Sequence, residues 1–182
     1  MEEKIVYFEN QGQKNTQKVI ELALQRAKDR KINKIVLAST RGGTAEFFLE
    51  KIKGTGIQLI VVPWQYGFKK EGNPFPLELA EKLRLDKHVV HFGTMLFHTD
   101  RLYGNETPQA LANILRIFGQ GIKVIVEIII MACDGGCIEA GEKVIAVSGT
   151  HVGADTAVVA TAANSNRINT LKINEIICKP IL

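Results

Sequence analysis

Apolar and polar residues alternate along the chain in a way that predicts strands and helices in turn. Residues 4–8 have the pattern of a short strand. Residues 16–29 are predicted to form a helix with Asn15 or Thr16 as its N-cap, because their apolar side chains share one helical face. Residues 34–38 form a nearly continuous apolar run, which indicates a strand buried on both faces and therefore a parallel sheet.

The same alternation continues to the end of the chain. Two long connections, residues 63–76 and 93–107, show no regular period. Further helices and strands are predicted between these connections and after them. The helices are expected at residues 45–52, 77–84 and 108–118, and the strands at residues 57–62, 87–92, 144–148, 157–162 and 175–179.

Residues 122–133 form an apolar segment whose pattern fits two structures. Its β-branched residues favour a strand, whereas its length and the Asp134-Gly135-Gly136 stop favour a buried helix. We predict a helix.

The order of these elements predicts an α/β fold. Alternating strands and helices form a three-layer, doubly wound, mostly parallel sheet. A hydrophobic content of 46% is enough to bury a core, and 182 residues fit one domain. We therefore expect a single domain over residues 1–182, without internal repeats or linkers.

The charge of the chain indicates no nucleic-acid partner. The formal net charge is +4, but the basic residues are scattered among acidic ones and form no stripe. No segment has the roughly 18 consecutive apolar residues of a membrane span, and the first residues do not resemble a targeting sequence. The expectation is a soluble protein that binds neither nucleic acid nor membranes.

The chain has three cysteines, Cys133, Cys137 and Cys178. The odd number and the lack of paired CxxC spacing indicate neither a disulfide framework nor a structural zinc site. A reducing, cytoplasmic location without a bound metal is the expectation. A redox or metal role for Cys133 and Cys137 is an alternative, although small buried thiols are more common.

The strongest candidate for chemistry is the loop that follows the strand at residues 34–38. A loop between a buried strand and a helix presents free backbone N–H groups at the positive end of the helix dipole, which favours an anion such as phosphate. Glycines let the backbone approach the ligand, and hydroxyl and guanidinium groups add hydrogen bonds. The candidate phosphate-binding residues are Ser39, Thr40, Arg41, Gly42, Gly43 and Thr44.

This loop has one alternative interpretation, and two known phosphate-binding motifs are excluded for it. The glycines could form a tight turn with Ser39 or Thr40 as a helix cap. The loop is neither a Walker loop, because the GxxxxGK[ST] spacing is absent, nor a GxGxxG dinucleotide loop. Hydrolysis of nucleoside triphosphates is therefore not indicated.

A second glycine-containing loop, residues 149–156, follows the strand at residues 144–148. Ligands of doubly wound sheets bind where the strand order reverses. If this strand neighbours that at residues 34–38, the two loops form one cleft. The side chains expected to face the first loop are Thr150, His151, Gly153, Asp155 and Thr156, although His151 and Asp155 could instead stabilise a turn.

The two long connections carry further candidates. Trp64 and Tyr66 could stack on a planar ligand, or they could form a packed apolar plug. His98, in the other connection, could close over the site together with Asp100 and Arg101.

Three segments carry a resemblance to a known family: residues 35–45, residues 142–150 and the closing residues 173–181. They resemble the C-terminal α/β domain of pyruvate kinase. The whole chain is similar to stand-alone, mainly archaeal proteins of this class, which are of unknown function; residues 127–132, residues 153–157 and Asn15 with Thr16 add to that closer match.

The resemblance implies a regulatory phosphate site rather than pyruvate kinase activity. In pyruvate kinase the matching loop holds a phosphate of a sugar bisphosphate, which implies this role for Ser39, Thr40, Gly42 and Thr44. Arg41 departs from the pattern, because a small hydroxyl residue is usual there. We expect no barrel before the domain and no counterparts of the metal-binding and phosphoryl-transfer residues of pyruvate kinase.

The first loop also resembles the phosphate loop of flavodoxins, except at Arg41 and Gly43. This resemblance makes flavin mononucleotide (FMN) the leading ligand, with a sugar phosphate second. The protein is then either a binding module, with or without a regulatory role, or an enzyme. The enzyme would be a flavin-dependent oxidoreductase or would act on phosphate esters, with His98, His151 or Asp155 transferring protons. A homo-oligomer is also plausible.

Overall fold

The computed structural model describes residues 2–69 and 71–181. Within them, seven strands and six α-helices are joined by loops, three of which contain a 3-10 turn. The strands are β1 (Val6–Phe8), β2 (Lys34–Ala38), β3 (Gln58–Val62), β4 (Val89–Val90), β5 (Lys143–Ser148), β6 (Thr156–Thr161) and β7 (Lys172–Pro180). The helices are α1 (Thr16–Arg30), α2 (Gly43–Lys51), α3 (Leu77–Leu85), α4 (Asp100–Tyr103), α5 (Thr107–Arg116) and α6 (Gln120–Asp134).

The seven strands form one sheet in the order β1-β7-β6-β5-β2-β3-β4. Only β6 is antiparallel to its neighbours, so the sheet is mostly parallel, as predicted. Strand β2 pairs in parallel with β3 on one side and with β5 on the other. The chain leaves β2 towards β3 and leaves β5 towards β6, so the strand order reverses between β2 and β5.

Helices cover both faces of the sheet and make it the middle of three layers. On one face, Ile35 and Leu37 of β2 pack with apolar side chains of α1, α2 and α3. On the other face, Val36 packs with α6. Helix α5 lies outside α6, where Ala112 contacts Val126 and Ile130. The predicted α/β, three-layer architecture is confirmed.

The ambiguous apolar segment forms α6 (Gln120–Asp134), which confirms the predicted helix. The prediction of a strand over residues 87–92 is wrong in extent, because only Val89 and Val90 pair with β3. Next to this strand, the His88 side chain accepts a hydrogen bond from the Leu59 N–H at 3.2 Å. A side chain thus replaces a backbone partner at this edge of the sheet.

Three other sequence predictions also need correction. The segment 93–107 is not wholly irregular, since it contains a 3-10 turn at Leu96–His98 and the short helix α4. Helix α1 begins at Thr16, but its N-cap residue Asn15 makes no capping hydrogen bond with its side chain. The last strand is longer than predicted and spans Lys172–Pro180.

A cluster of ion pairs joins α1 to β7 and to the N-terminal segment. Arg26 and Arg30 of α1 both pair with Glu175 of β7 and with Glu3. The Arg30 Nε lies 2.6 Å from a Glu175 oxygen, and this hydrogen bond holds the pKa of Glu175 below its ordinary value.

Among the described helices, none has both the length and the apolar character needed to cross a membrane.

Gly42, which precedes α2, is a position where the fold disfavours a side chain. Its φ is +88°, and an added Cβ would lie 2.6 Å from Leu79 Cδ2. We expect Gly42→Ala to lower the free energy of unfolding by about 1–3 kcal/mol, measured by urea denaturation. Gly43→Ala is the control, because a Cβ there meets no atom within 4 Å. Equal stability of the two variants would contradict this account.

Candidate functional site

A cleft of about 760 Å³ opens at the carboxyl ends of β2, β3 and β5, at the point where the strand order reverses. Its walls come from the loop after β2, the loop after β5, the two long connections and one side of α6. Ligands of open α/β sheets bind in such a crevice. The sequence analysis left open whether the two strands that precede the glycine loops are neighbours. They are, because β2 pairs with β5.

The first loop presents free hydrogen-bond donors to this cleft. The Ser39 hydroxyl accepts a hydrogen bond from the Ala45 N–H at 3.3 Å and so caps the first turn of α2. The N–H groups of Gly43 and Thr44 have no hydrogen-bond partner among the described residues. Ser39, Gly43 and Thr44 all line the cleft. The positive end of α2 and two unengaged donors therefore meet at one wall.

Polar side chains surround these free donors. Thr40 and Arg41 also line the cleft, and Arg41 forms no ion pair with any described residue. Gly42 is buried and does not line the cleft; its contacts are with Pro76 and Leu79 at the start of α3. Of the six residues predicted in this loop, five thus border the cleft, and Gly42 shapes the turn behind them.

The second loop lies opposite and joins β5 to the antiparallel β6. Gly149, His151, Val152 and Gly153 line the cleft. His151 is exposed and has a left-handed backbone with φ of +66°. The predicted pairing of the two loops across one cleft is thus present for His151 and Gly153.

Asp155 does not face the cleft. Its side chain is buried, and Oδ2 accepts hydrogen bonds from the N–H groups of Gly12 at 2.8 Å and Thr150 at 3.0 Å. Its Oδ1 accepts a hydrogen bond from the Thr156 hydroxyl at 2.7 Å. Asp155 therefore connects the segment that precedes α1 to the second loop through hydrogen bonds. Thr150 and Thr156 belong to this internal network and do not line the cleft, which corrects the orientation expected for them. Asp155 has the alternative role, that of stabilising a turn.

The aromatic candidates separate in the same way. Trp64 lines the cleft with Phe68, whose ring lies 5.1 Å from that of Trp64 in a T-shaped pair. Tyr66 instead lies outside the cleft and packs on Phe92 with ring centroids 4.9 Å apart. Phe68 thus takes the place that the sequence prediction gave to Tyr66. Asn15 also lies away from the cleft, where its side chain donates a hydrogen bond to the Asn10 carbonyl.

Side-chain hydrogen bonds fix the two long connections that carry the aromatic wall. The Asn73 side chain donates to the Trp64 carbonyl at 2.6 Å. Gln65 accepts a hydrogen bond from the Met95 N–H at 2.7 Å and so joins one connection to the other. Trp64 and His98 are therefore held on a common wall.

His98 contacts a buried ion pair that the sequence prediction missed. Its Nδ1 lies 3.3 Å from Glu127 Oε1, and Glu127 Oε2 lies 2.6 Å from the Lys123 ammonium. Glu127 Oε1 also accepts a hydrogen bond from the Phe97 N–H at 2.9 Å. Lys123 and Glu127 are only 1% and 3% exposed, and both border the cleft.

The protonation of this pair follows from its contacts. Burial alone would raise the pKa of Glu127, but hydrogen bonds from His98, Lys123 and Phe97, with the Lys123 charge, hold that pKa below its ordinary value. Burial lowers the pKa of Lys123, and the attraction of Glu127 opposes that effect. Glu127 is therefore an ionised carboxylate that accepts hydrogen bonds from every side.

A sequence signal for this group was present. In α6, Lys123 and Glu127 are charged residues at an i, i+4 spacing inside an otherwise apolar run. Together with the basic residues of the other walls, they give the cleft an excess of positive charge. Among the described residues, its cationic side chains apart from histidine are Arg41, Lys69, Arg116 and Lys123, and its carboxylate is Glu127.

The cysteines lie outside the cleft. Cys133 and Cys178 are buried and Cys137 is half-buried. Burial raises the pKa of all three thiols, that of Cys178 to about 12. Protonated thiols are weak nucleophiles, so this environment does not favour redox chemistry. Across residues 2–69 and 71–181, no group of three His, Cys, Asp or Glu side chains is arranged to hold a metal ion.

Solved structures that are similar to this chain include two of pyruvate kinase from Cryptosporidium parvum, one of them in complex with ADP. The sequence identities are 15% and 16%, with a TM-score of 0.44 for each. The similarity covers 81% of this chain, which spans only 23% and 24% of the pyruvate kinase chains. No protein-family model matches the chain. Similarity of this degree carries no conclusion about ligand or reaction.

The internal role of Asp155 can be tested by stability. Asp155→Ala leaves three buried donors without their acceptor, so we expect the free energy of unfolding to fall by about 3 kcal/mol or more in urea denaturation. The matched control is Asp134→Ala. Asp134 also accepts two hydrogen bonds, from Ser165 and Asn164, but at an exposed position where water can replace it. Equal losses in the two variants would contradict a buried network.

The ionisation of Glu127 predicts how stability depends on pH. Its folded pKa lies below the ordinary value of 4.5, so its contribution to stability is complete above about pH 4.5 and is lost as the pH falls through the folded pKa. We expect the wild type to lose more stability in acid than the neutral variant Lys123→Met with Glu127→Gln. Urea midpoints measured at several pH values test this. Parallel curves for the two proteins would show that Glu127 is not perturbed.

Proposed function

We propose that this protein binds a small phosphorylated molecule in the cleft, with its phosphate at the first loop and FMN as the first candidate. The free N–H groups of Gly43 and Thr44 at the N-terminus of α2 are the observation that carries the proposal. Arg41 adds a cation at the same wall. Backbone donors, a helix dipole and a guanidinium group form a site of the kind that binds phosphate.

The available contacts are sufficient for useful affinity. A hydrogen bond to a charged group contributes on the order of 1.5–3 kcal/mol. Three or four such bonds, from the N–H groups of Gly43 and Thr44, the Thr40 hydroxyl and Arg41, could hold a phosphate at micromolar concentration after the cost of association.

The shape and composition of the cleft fit FMN. Small-molecule sites have volumes of about 300–1,000 Å³, and this cleft has about 760 Å³. The phosphate would lie at the first loop, and Trp64 and Phe68 offer an apolar, aromatic wall to a planar ring. A bound flavin supplies one- and two-electron transfer. The protein would then be a flavin carrier or a flavin-dependent oxidoreductase.

A sugar phosphate is the second candidate ligand. The buried pair of Glu127 and Lys123, with His98 beside it, offers polar partners that a sugar could use. Such a ligand would make the chain a sugar-phosphate-binding domain, regulatory or enzymatic. Its kinship with stand-alone proteins that resemble the C-terminal domain of pyruvate kinase is part of the same proposal.

The phosphate site is tested by charge at residue 43. Gly43→Asp adds a carboxylate beside the phosphate position, whereas Gly43→Asn adds a side chain of the same size without charge. We expect FMN to bind Gly43→Asp at least about tenfold more weakly than Gly43→Asn, measured by quenching of flavin fluorescence. Riboflavin, which lacks the phosphate, should not distinguish the two variants.

Two outcomes would count against the proposal. Equal FMN affinity in the two variants would exclude the first loop as the phosphate site. A purified protein that is colourless, releases no flavin on denaturation and takes up no added FMN would exclude FMN, and thermal shift with sugar phosphates would then test the second candidate.

A further inference from the structure

His98 has the position of a reactive group rather than of a packed one. It ends the 3-10 turn Leu96–His98, lines the cleft and keeps 27% of its side chain exposed. The Phe68 ring meets it edge-on with centroids 4.9 Å apart, which fixes the plane of the imidazole. The side chain is therefore oriented but open to a bound molecule.

Glu127 explains how this orientation arises. A buried ion pair such as that of Glu127 with Lys123 is often no more stable than apolar residues of similar volume. Here, however, one carboxylate oxygen accepts hydrogen bonds from both the Phe97 N–H and the His98 imidazole. The other oxygen is held by Lys123. The charged pair in α6 thus fixes the backbone and the side chain of the turn that carries His98.

The partner of Nδ1 determines which nitrogen of His98 carries the proton. An ionised carboxylate can only accept, so the neutral imidazole donates Nδ1–H to Glu127 and keeps its lone pair on Nε2. Nε2 is separated from Nδ1 by one ring carbon, and its lone pair points away from Glu127. An imidazole held in this way by a carboxylate can accept a proton, and the carboxylate stabilises the imidazolium that forms.

We propose that His98 acts as a general base in the cleft and that Glu127 is its positioning residue. The substrate class is a phosphorylated hydroxy-carbonyl compound with a hydrogen on the carbon next to the carbonyl. This inference rests on the proposed function, because the first loop holds the phosphate while His98 faces the rest of the molecule. Proton abstraction of this kind is within reach of an imidazole near neutral pH.

The step is balanced without a further reactant. The C–H bond next to the carbonyl breaks and the proton moves to Nε2 of His98. The electron pair of that bond forms a carbon–carbon double bond, and the carbonyl π electrons move to its oxygen. Return of a proton to the same carbon exchanges its hydrogen with solvent. Return of the proton to the former carbonyl carbon isomerises the compound when the hydroxyl proton of the first carbon moves to the neighbouring oxygen, so that the first carbon becomes the new carbonyl.

The charges around His98 favour this step. Glu127 faces Nδ1, and Lys123 holds the other Glu127 oxygen. The Lys69 ammonium lies 5.7 Å from the centroid of the Phe68 ring, which contacts His98. Arg41 and Arg116 also line the cleft, as does His151. The two guanidinium groups stabilise negative charge that develops on a carbonyl oxygen, while Glu127 stabilises positive charge on His98.

The test uses dihydroxyacetone phosphate and fructose 6-phosphate as probes in deuterated water. Proton NMR follows loss of the C–H signals next to the carbonyl, and a thermal shift measures binding. We expect the wild type to exchange these hydrogens above the buffer rate. His98→Asn should lower kcat about 100-fold or more and leave KM within a few-fold. His88→Asn is the control, because His88 lies outside the cleft.

The role of Glu127 cannot be tested by replacing Glu127 alone, because that change leaves Lys123 buried without its partner. The combined change Lys123→Met and Glu127→Gln removes both charges together. We expect this variant to lower kcat at least about tenfold, to change the pH profile of the exchange, and to shift His98 from the Nδ1–H to the Nε2–H tautomer in nitrogen-15 NMR. A merely structural pair would change neither the tautomer nor the pH profile.

The outcomes separate this inference from the proposal on which it rests. Binding of the probes without exchange, or full exchange by His98→Asn, would overturn the assignment of His98 and leave the phosphate site intact. Failure of both probes to bind would overturn this substrate class, while the FMN measurements on Gly43→Asp and Gly43→Asn would still report on the phosphate site.

Discussion

The parallel pairing of β2 with β5 is the constraint on which the cleft depends. It places two strands side by side whose chains then leave in opposite directions, so no crossover covers the gap between their carboxyl ends. Helix α2 begins at this edge directly after β2, and α6 begins at the same edge before descending to β5. The N-termini of two helices on opposite faces therefore border the crevice, and its local field favours an anion.

Helix α6 combines packing and polarity in one element. Ile125 and Ile129 pack against the sheet, and Val126 and Ile130 face α5. The residues of α6 that border the cleft recur at helical spacing and include both charged residues. They are Gln120, Lys123, Val124, Glu127, Ile128 and Met131. Because apolar neighbours surround the Lys123–Glu127 pair, its hydrogen bonds act in a medium less polar than water. The position of His98 is thus tied to the core.

Local pattern was sufficient for most of the fold but not for the assignment of every site residue. The order of strands and helices, the helix α6 and the first loop follow from periodicity and from the positions of glycine, which are properties of neighbouring residues. The choice between the two roles left open for Asp155 could not be made from the sequence, because its partner Gly12 lies 143 positions away in the chain. Glu127 was overlooked for the same reason, since the turn it holds comes 29 to 30 residues earlier. At β4, a hydrogen bond to the His88 side chain stands where a strand pattern predicts a backbone partner.

The two walls of the cleft differ in how they are connected to the rest of the molecule. The first loop leads into a helix, and Gly42 packs against α3, so a change of length there would displace two helices. The second loop is the tip of a hairpin between β5 and β6, and Asp155 fastens only its base. His151 and Val152 at its tip are exposed. Insertions and substitutions at this hairpin tip can therefore diversify ligand selectivity during evolution while the anion-binding wall and the core stay unchanged.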